Sequence, residues 1–150
     1  MNINKFTQKS LEAVQKCEKL AYEYGNQQIE QEHLLYSLLT VEDSLILKLI
    51  TKMNVQKEQF LNEAAQAIEK LPKVSGGQLY ISNDLNKVLI SAEDEAKAMG
   101  DEYVSVEHLF LAMLKQPSRM AKELFRSYGI TRENFLQALS TVLGNQRVVS

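Results

Sequence analysis

Thiol chemistry is nearly absent from this chain: Cys17 is the one cysteine among 150 residues. No internal disulfide can form, which suits a reducing compartment. Cys17 falls at a core-like helical position, where an inert buried thiol is expected and not a reactive one. Excess charge is lacking as well. A formal net charge of -2 gives no electrostatic reason to expect nucleic acid or an anionic membrane as partner. Long apolar runs are missing, since the longest, Leu109 to Leu114, falls far short of a membrane span. The opening Met-Asn-Ile-Asn-Lys-Phe-Thr has no apolar stretch of the kind a secretory leader needs, so a cytoplasmic setting is expected.

Signatures of catalysis are thin too. His33 and His108 are the two histidines, with no His-x-x-x-His or Cys-x-x-Cys to assemble the converging ligands of a metal site. Structural histidines are the expectation. Glu107 and His108 are neighbours on a helix, point in different directions and cannot relay a proton to a nucleophile. Gly76-Gly77 lacks the further glycine and the Lys-Ser/Thr of a phosphate loop. Neither an enzyme nor a cofactor-binding unit is expected from these residues.

What is present is a repeat. Gly100-Asp101-Glu102-Tyr103-Val104-Ser105-Val106-Glu107-His108-Leu109 echoes Gly25-Asn26-Gln27-Gln28-Ile29-Glu30-Gln31-Glu32-His33-Leu34, 75 residues earlier. At that offset, residues 6–68 and 81–143 align without a gap and share 11 identities in 63 pairs. Further pairs keep apolar character, such as Val14/Leu89, Ile50/Phe125 and Val55/Ile130. The chain is an internal duplication.

Each copy reads as four helices. Apolar residues at helical spacing run from Thr7 to Tyr24, and again from Asn83 to Met99. Thr7 and Ser82 are the expected N-caps, and Gly25 and Gly100 the left-handed stops. Shorter helices follow at 31–41 and 106–115, 44–53 and 119–128, then 56–70 and 132–143. No stretch alternates convincingly as a strand. The expected fold is therefore all-α, with eight helices in two tandem four-helix repeats related by a pseudo-two-fold. A domain over residues 1–143 comprises repeat 1 at 6–70, a linker at 71–81 marked by Pro72 and the Gly pair, and repeat 2 at 82–143. Residues 144–150 show no period and are expected to form a flexible tail. Short helices leave apolar faces that the other copy can cover, so the halves should share one core.

The remaining candidates are surface residues. Thr7, Asp101 and Glu107, with Asn26 and Glu32 in the twin positions, cluster at corresponding helix–loop junctions. Capping and solvation account for them plainly. The sharper reading puts them on the rim of an apolar groove between helices, a common way to hold a peptide.

Three stretches carry a resemblance. Lys5-Phe6-Thr7-Gln8-Lys9-Ser10, the doubled Glu-His-Leu halves and Leu71-Pro72-Lys73-Val74-Ser75-Gly76 together resemble the Clp N-terminal domain family of ATP-dependent chaperones. The Leu-Pro-Lys-Val linker and the tail Gly144-Asn145-Gln146-Arg147-Val148 bring the likeness to its disaggregase (ClpB) branch. The duplicated pattern alone is shared with the ClpA and ClpC N-domains. The resemblance implies a mobile domain above a hexameric ATPase ring. That domain engages unfolded or aggregated polypeptides and helps deliver them to the pore, in cooperation with the DnaK system. It implies ATP as a cofactor of the full-length protein only. These residues lack ATPase modules, so alone they are expected neither to hydrolyse ATP nor to disaggregate. Thr7, Asp101 and Glu107 match the family's polar positions linked to substrate handling, and Leu89 is the candidate for a neighbouring apolar groove. Asn26 and Glu32 would form a pseudo-symmetric second site. A second implication comes from ClpC- and ClpA-type domains, which dock phosphorylated arginine or adaptor proteins. Glu32 and Glu107 match the acidic positions, but the sequence identifies no basic partner for a phosphate.

Overall fold

The computed structural model describes the backbone of residues 2–149 and the side chains of residues 2–144. Helix α1 (Gln8–Glu23) begins where the Thr7 Oγ1 accepts the Ser10 N–H at 3.2 Å. Its twin α5 (Asn83–Ala98) begins where the Ser82 Oγ accepts the Leu85 N–H at 3.1 Å. Both end in the same left-handed turn. Gly25 and Gly100 take φ of +74° and +72°, a region that costs other residues energy. The next amides, of Asn26 and Asp101, donate back to the carbonyls of Ala21 and Ala96 at 2.8 and 2.9 Å, closing a Schellman turn in each half.

The shorter helices follow the same duplication. They are α2 (Gln31–Thr40), α3 (Leu45–Lys52) and α4 (Lys57–Glu69) in the first half. The second half has α6 (Val106–Lys115), α7 (Arg119–Ser127) and α8 (Arg132–Val149). The described residues thus hold eight α-helices, as expected, with a short 3-10 turn at Ile3–Lys5 ahead of them. Helix α8 departs from expectation by continuing beyond Leu143 to Val149. Gly144 is not among the glycines with positive φ. A glycine inside a helix costs only about 1 kcal/mol, and Gln and Arg are good helix formers, so it need not stop the helix. Ser150 lies outside the described residues.

Strands are a second departure. Two-residue strands β1 (Gln28–Ile29) and β2 (Tyr80–Ile81) pair in parallel, with Ile29 opposite Ile81. Phe6 and Val104 form an isolated parallel bridge. Phe6 and Ile81 are twins at the repeat offset of 75 residues, and so are Ile29 and Val104. One contact is therefore made twice, each time between the lead-in of one half and the loop after the long helix of the other. Segments this short carry no alternation that a sequence pattern can reveal.

Helices α2 and α6 occupy the middle of the fold. Helix α2 packs on α1, α3 and α4 of its own half and on α5, α6 and α7 of the other, while α6 contacts α1, α2 and α3 across the divide. Every residue of α6 from Val106 to Met113 is buried, as expected of a helix that is apolar nearly all round. The core is continuous: Ile46, Leu49 and Phe60 belong to one cluster with Leu109, Phe110 and Phe135. Polar bonds also cross the seam. Buried Gln31 donates through Nε2 to the carbonyls of Asp84 and Gln116 at 3.0 and 2.9 Å, and its Oε1 accepts the Ser118 N–H at 2.8 Å. Within the second half, the buried Glu95 carboxylate is met by Arg132 Nη2 at 2.5 Å, the kind of pairing a buried charge requires.

Candidate functional site

The duplicated Glu-His-Leu segment turns out to be a latch. At 2.9 Å the His33 Nδ1 accepts the Glu30 N–H, and Nε2 lies 2.9 Å from the Asn26 Oδ1. In the second half the His108 Nδ1 accepts the Ser105 N–H at 2.8 Å, and Nε2 lies 2.8 Å from the Asp101 Oδ2. A ring nitrogen that accepts an amide proton carries none, so in each ring the hydrogen sits on Nε2 and is donated to the Asx side chain. Each latch ties the residue after the left-handed glycine to the N-cap of the next helix. Both histidines are structural, as expected. Among the described residues, no group of three or more His, Cys, Asp or Glu side chains is placed to hold a metal ion.

Asn26 has a second task, donating through Nδ2 to the Pro72 carbonyl at 3.1 Å. With the Val74 N–H donated to the Gly25 carbonyl at 2.9 Å, this pins the linker to the end of α1. Asn26, expected in a twin site, is 4% exposed and lines a small cavity with Gln27, Gln28 and Pro72 at this corner.

Around the second latch, Thr7, Asp101 and Glu107 do come together. They line a cavity of about 300 Å³ with Glu102, Tyr103, Ser105 and Leu143. Thr7 is held by its own amide, donated to the Val104 carbonyl at 2.9 Å, and by Ser10, whose Oγ lies 2.7 Å from the same carbonyl. Tyr103 stands exposed beside them.

Leu89 lies elsewhere. It is 2% exposed and sits in the wall of an apolar groove of about 240 Å³ between α1 and α5. Leu11, Val14, Ile29, Leu34, Ile81 and Leu85 are among the groove's other apolar lining, with Ile3 at the edge, and Gln15 and Glu18 add polar groups. Ile3 and Ile81 are 53% and 42% exposed, which is high for side chains of this kind beside an apolar cleft. Leu89 and the trio Thr7, Asp101 and Glu107 thus line different cavities. The strand pairing Ile29–Ile81 builds one wall of the apolar groove. Sequence alone missed Ile3, Ile29 and Ile81; the last two are brought together only by that pairing, and Ile3 sits in the 3-10 turn ahead of α1.

Glu32, the twin of Glu107, occupies a third cavity of about 570 Å³ at the seam between the halves. Five carboxylates line it: Glu30, Glu32, Glu63, Asp84 and Glu123. Lys70 and Arg119 line it too, so basic groups invisible in the sequence pattern do stand near Glu32. Burial, reinforced by the charges of Glu30 and Asp84, pushes the Glu32 carboxyl up to about 7. Burial drives the adjacent His33 the other way, down to about 4. Cys17 is raised to about 12 by burial, so its thiol is inert near neutral pH.

These shifts give opposite pH dependences. The folded domain retains a proton on Glu32 up to about pH 7 that the unfolded chain releases near its ordinary value of 4.5. That contribution is full below the ordinary value and is lost as pH rises through the folded one. The folded domain keeps His33 neutral down to about pH 4, whereas unfolded it protonates near 6.5. That contribution is full above the ordinary value and is lost as pH falls. Glu32→Gln removes the first term alone. It is expected to stabilise by about 1–2 kcal/mol at pH 8, after discounting for solvent, and by nearly nothing at pH 4.5. Urea unfolding at the two pH values checks it, and an equal effect at both would refute the burial of that carboxylate.

With fold and cavities in place, comparison with known proteins assigns the class. The family profile described as Clp repeat (R) N-terminal domain matches residues 5–128, and the chain belongs to that family. Chaperone protein ClpB of Nitratidesulfovibrio vulgaris is 38% identical over 156 residues, covering 100% of this chain and 18% of that protein. Chaperone protein ClpB of Porphyromonas gingivalis is 39% identical over 150 residues, covering 100% of this chain and 17% of its own length. The chain therefore spans less than a fifth of these curated relatives. Among solved structures, the Hsp104 N-terminal domain from Candida albicans superposes with a TM-score of 0.82 at 19% identity, covering 93% of this chain and 92% of that one. The N-domain of ClpV from Vibrio cholerae gives 0.79 at 22% identity, covering 95% and 87%. The all-α Clp N-domain fold follows. No helix among the described residues is long and apolar enough to cross a membrane.

Proposed function

We propose that this domain captures exposed apolar segments of unfolded or aggregated polypeptides and hands them to an ATP-driven chaperone ring. The observation that carries this reading is the α1–α5 groove, apolar along its walls and edged by the exposed Ile3 and Ile81. Unfolded chains are told from folded ones by their exposed apolar side chains, and a groove whose lining is mainly apolar, with Gln15 and Glu18 its polar members, accepts many sequences. Leu89 belongs to its wall. The polar cavity of Thr7, Asp101 and Glu107 takes part in client handling nearby, the Glu102 and Glu107 carboxylates in its lining attracting Lys or Arg that flank apolar segments. Salt weakens that part of the attraction. Binding is weak, because a captured segment loses conformational freedom. The curated relatives named as ClpB chaperones support this assignment, and a ClpV N-domain has been solved in complex with a VipB peptide. The hexameric ring, its ATP and the cooperating DnaK system belong to this proposal for the whole protein.

Titrating the 150-residue chain with α-casein, an unfolded polypeptide, tests it residue by residue. Chemical-shift changes are expected along Leu11, Ile81, Leu85 and Leu89 and around Thr7, Asp101 and Glu107. Changes confined to α3 and α4, or to α7 and α8, would overturn the reading.

A second reading gains from the seam cavity, where Lys70 and Arg119 accompany Glu32. Carboxylates for a guanidinium and cations for a phosphate are what a phosphorylated arginine needs. Saturable phosphoarginine binding that disappears in Glu32→Ala and Glu107→Ala would favour it, and no binding would remove it.

A further inference from the structure

We propose that Asp101 is a positioning residue: it serves client binding through His108, by fixing the loop that forms the polar cavity, and not by contacting the client. This rests on the client-binding reading above and deepens it. The Asp101 Oδ2 lies 2.8 Å from the Nε2 of His108, a ring that is 1% exposed. The His108 Nδ1 in turn holds the Ser105 amide. One residue earlier, the Val104 N–H is donated to the Lys5 carbonyl at 2.7 Å, and the Val104 carbonyl receives the Thr7 amide. Asp101, His108, Ser105, Val104 and Thr7 thus form one chain of bonds, running from the end of α5 to the start of α1.

The first half supplies the control. Asn26 stands where Asp101 stands, His33 where His108 stands and Glu30 where Ser105 stands, 75 residues apart. The bonds match to about a tenth of an ångström, at 2.9 and 2.9 Å against 2.8 and 2.8 Å. An uncharged amide therefore performs the same task within the same protein. For the bond to the histidine the position requires an acceptor oxygen, which an uncharged amide supplies equally well. Removing the acceptor would leave the buried Nε2–H unpaired and free the imidazole to turn away from Ser105. The loop Gly100–Ser105 would then need ordering each time a client binds, which weakens binding.

The experiment compares Asp101→Asn and Asp101→Ala with the parent chain. It measures α-casein affinity, the His108 ring-nitrogen resonances and hydrogen exchange of the Ser105 amide. Asp101→Asn is expected to bind within about twofold of the parent, with a protected Ser105 amide and His108 hydrogen still on Nε2. Asp101→Ala is expected to lose about tenfold in affinity, to free the Ser105 amide and to alter the His108 resonances. Loss of binding in Asp101→Asn with His108 and Ser105 unchanged would overturn the inference, because the charge itself would then meet the client. Unchanged binding in a folded Asp101→Ala would overturn it as well. If Asp101→Ala does not fold, Asp101→Asn decides alone, and its own failure to fold counts against the inference. If the parent does not bind α-casein, the client-binding reading fails separately. The latch is then judged by Ser105 protection, retained in Asp101→Asn and lost in Asp101→Ala if correct, alike in both if not.

Discussion

Phe110→Ala is expected to destabilise the domain by about 3–5 kcal/mol, the largest effect of any single truncation considered. Phe110 is fully buried on α6, the helix that packs against elements of both halves. Its ring meets Phe125 edge-on at 5.4 Å and lies 4.6 Å from Phe135, so truncation removes two aromatic contacts along with the buried area. Neighbours on several sides belong to rigid helices of two repeats, which limits how far the cavity can collapse. Urea unfolding should show a lower midpoint at unchanged slope. A loss under about 1 kcal/mol would mean that the two halves can slide together and refill the space.

Leu49→Ala and Leu124→Ala should differ, although the two leucines are twins. Leu49 is completely buried within α3, which packs on α4, α6 and α8, and its truncation is expected to cost about 3 kcal/mol. Leu124 is 9% exposed and borders the seam cavity. Water can enter the space it leaves, so about 2 kcal/mol is expected there. The same denaturation measurement compares them, and equal costs would mean that the seam cavity closes around Leu124.

Helix limits were legible because they rest on local chemistry. Thr7 and Ser82 cap by their own side chains, and Gly25 and Gly100 turn because they lack a Cβ. The duplication was legible because Glu-His-Leu recurs without a gap. The inert Cys17 and the structural histidines also followed from helical position and from missing ligand spacing. Tertiary placement was not legible. Nothing local says that Ile81 pairs with Ile29, so the groove wall they form had no pattern to betray it. Glu32 and Glu107 are identical residues at twin positions, yet one faces an acidic seam and the other a small polar cavity. Those surroundings come in part from the opposite half in the first case, where Asp84, Arg119 and Glu123 share the cavity lining with Glu32. Leu89, expected in a neighbouring apolar groove, lines the apolar groove, whereas Thr7, Asp101 and Glu107 line another cavity.

The crossed pairings, Ile29 with Ile81 and Phe6 with Val104, have a consequence for ancestry. Two separate chains of one quartet each could make both contacts about a common axis, each protomer lending its leading segment to the other. That is the self-complementary arrangement of an isologous dimer. Joining the protomers end to end would keep both contacts while letting the two copies differ, as Asn26 and Asp101 do at the latch.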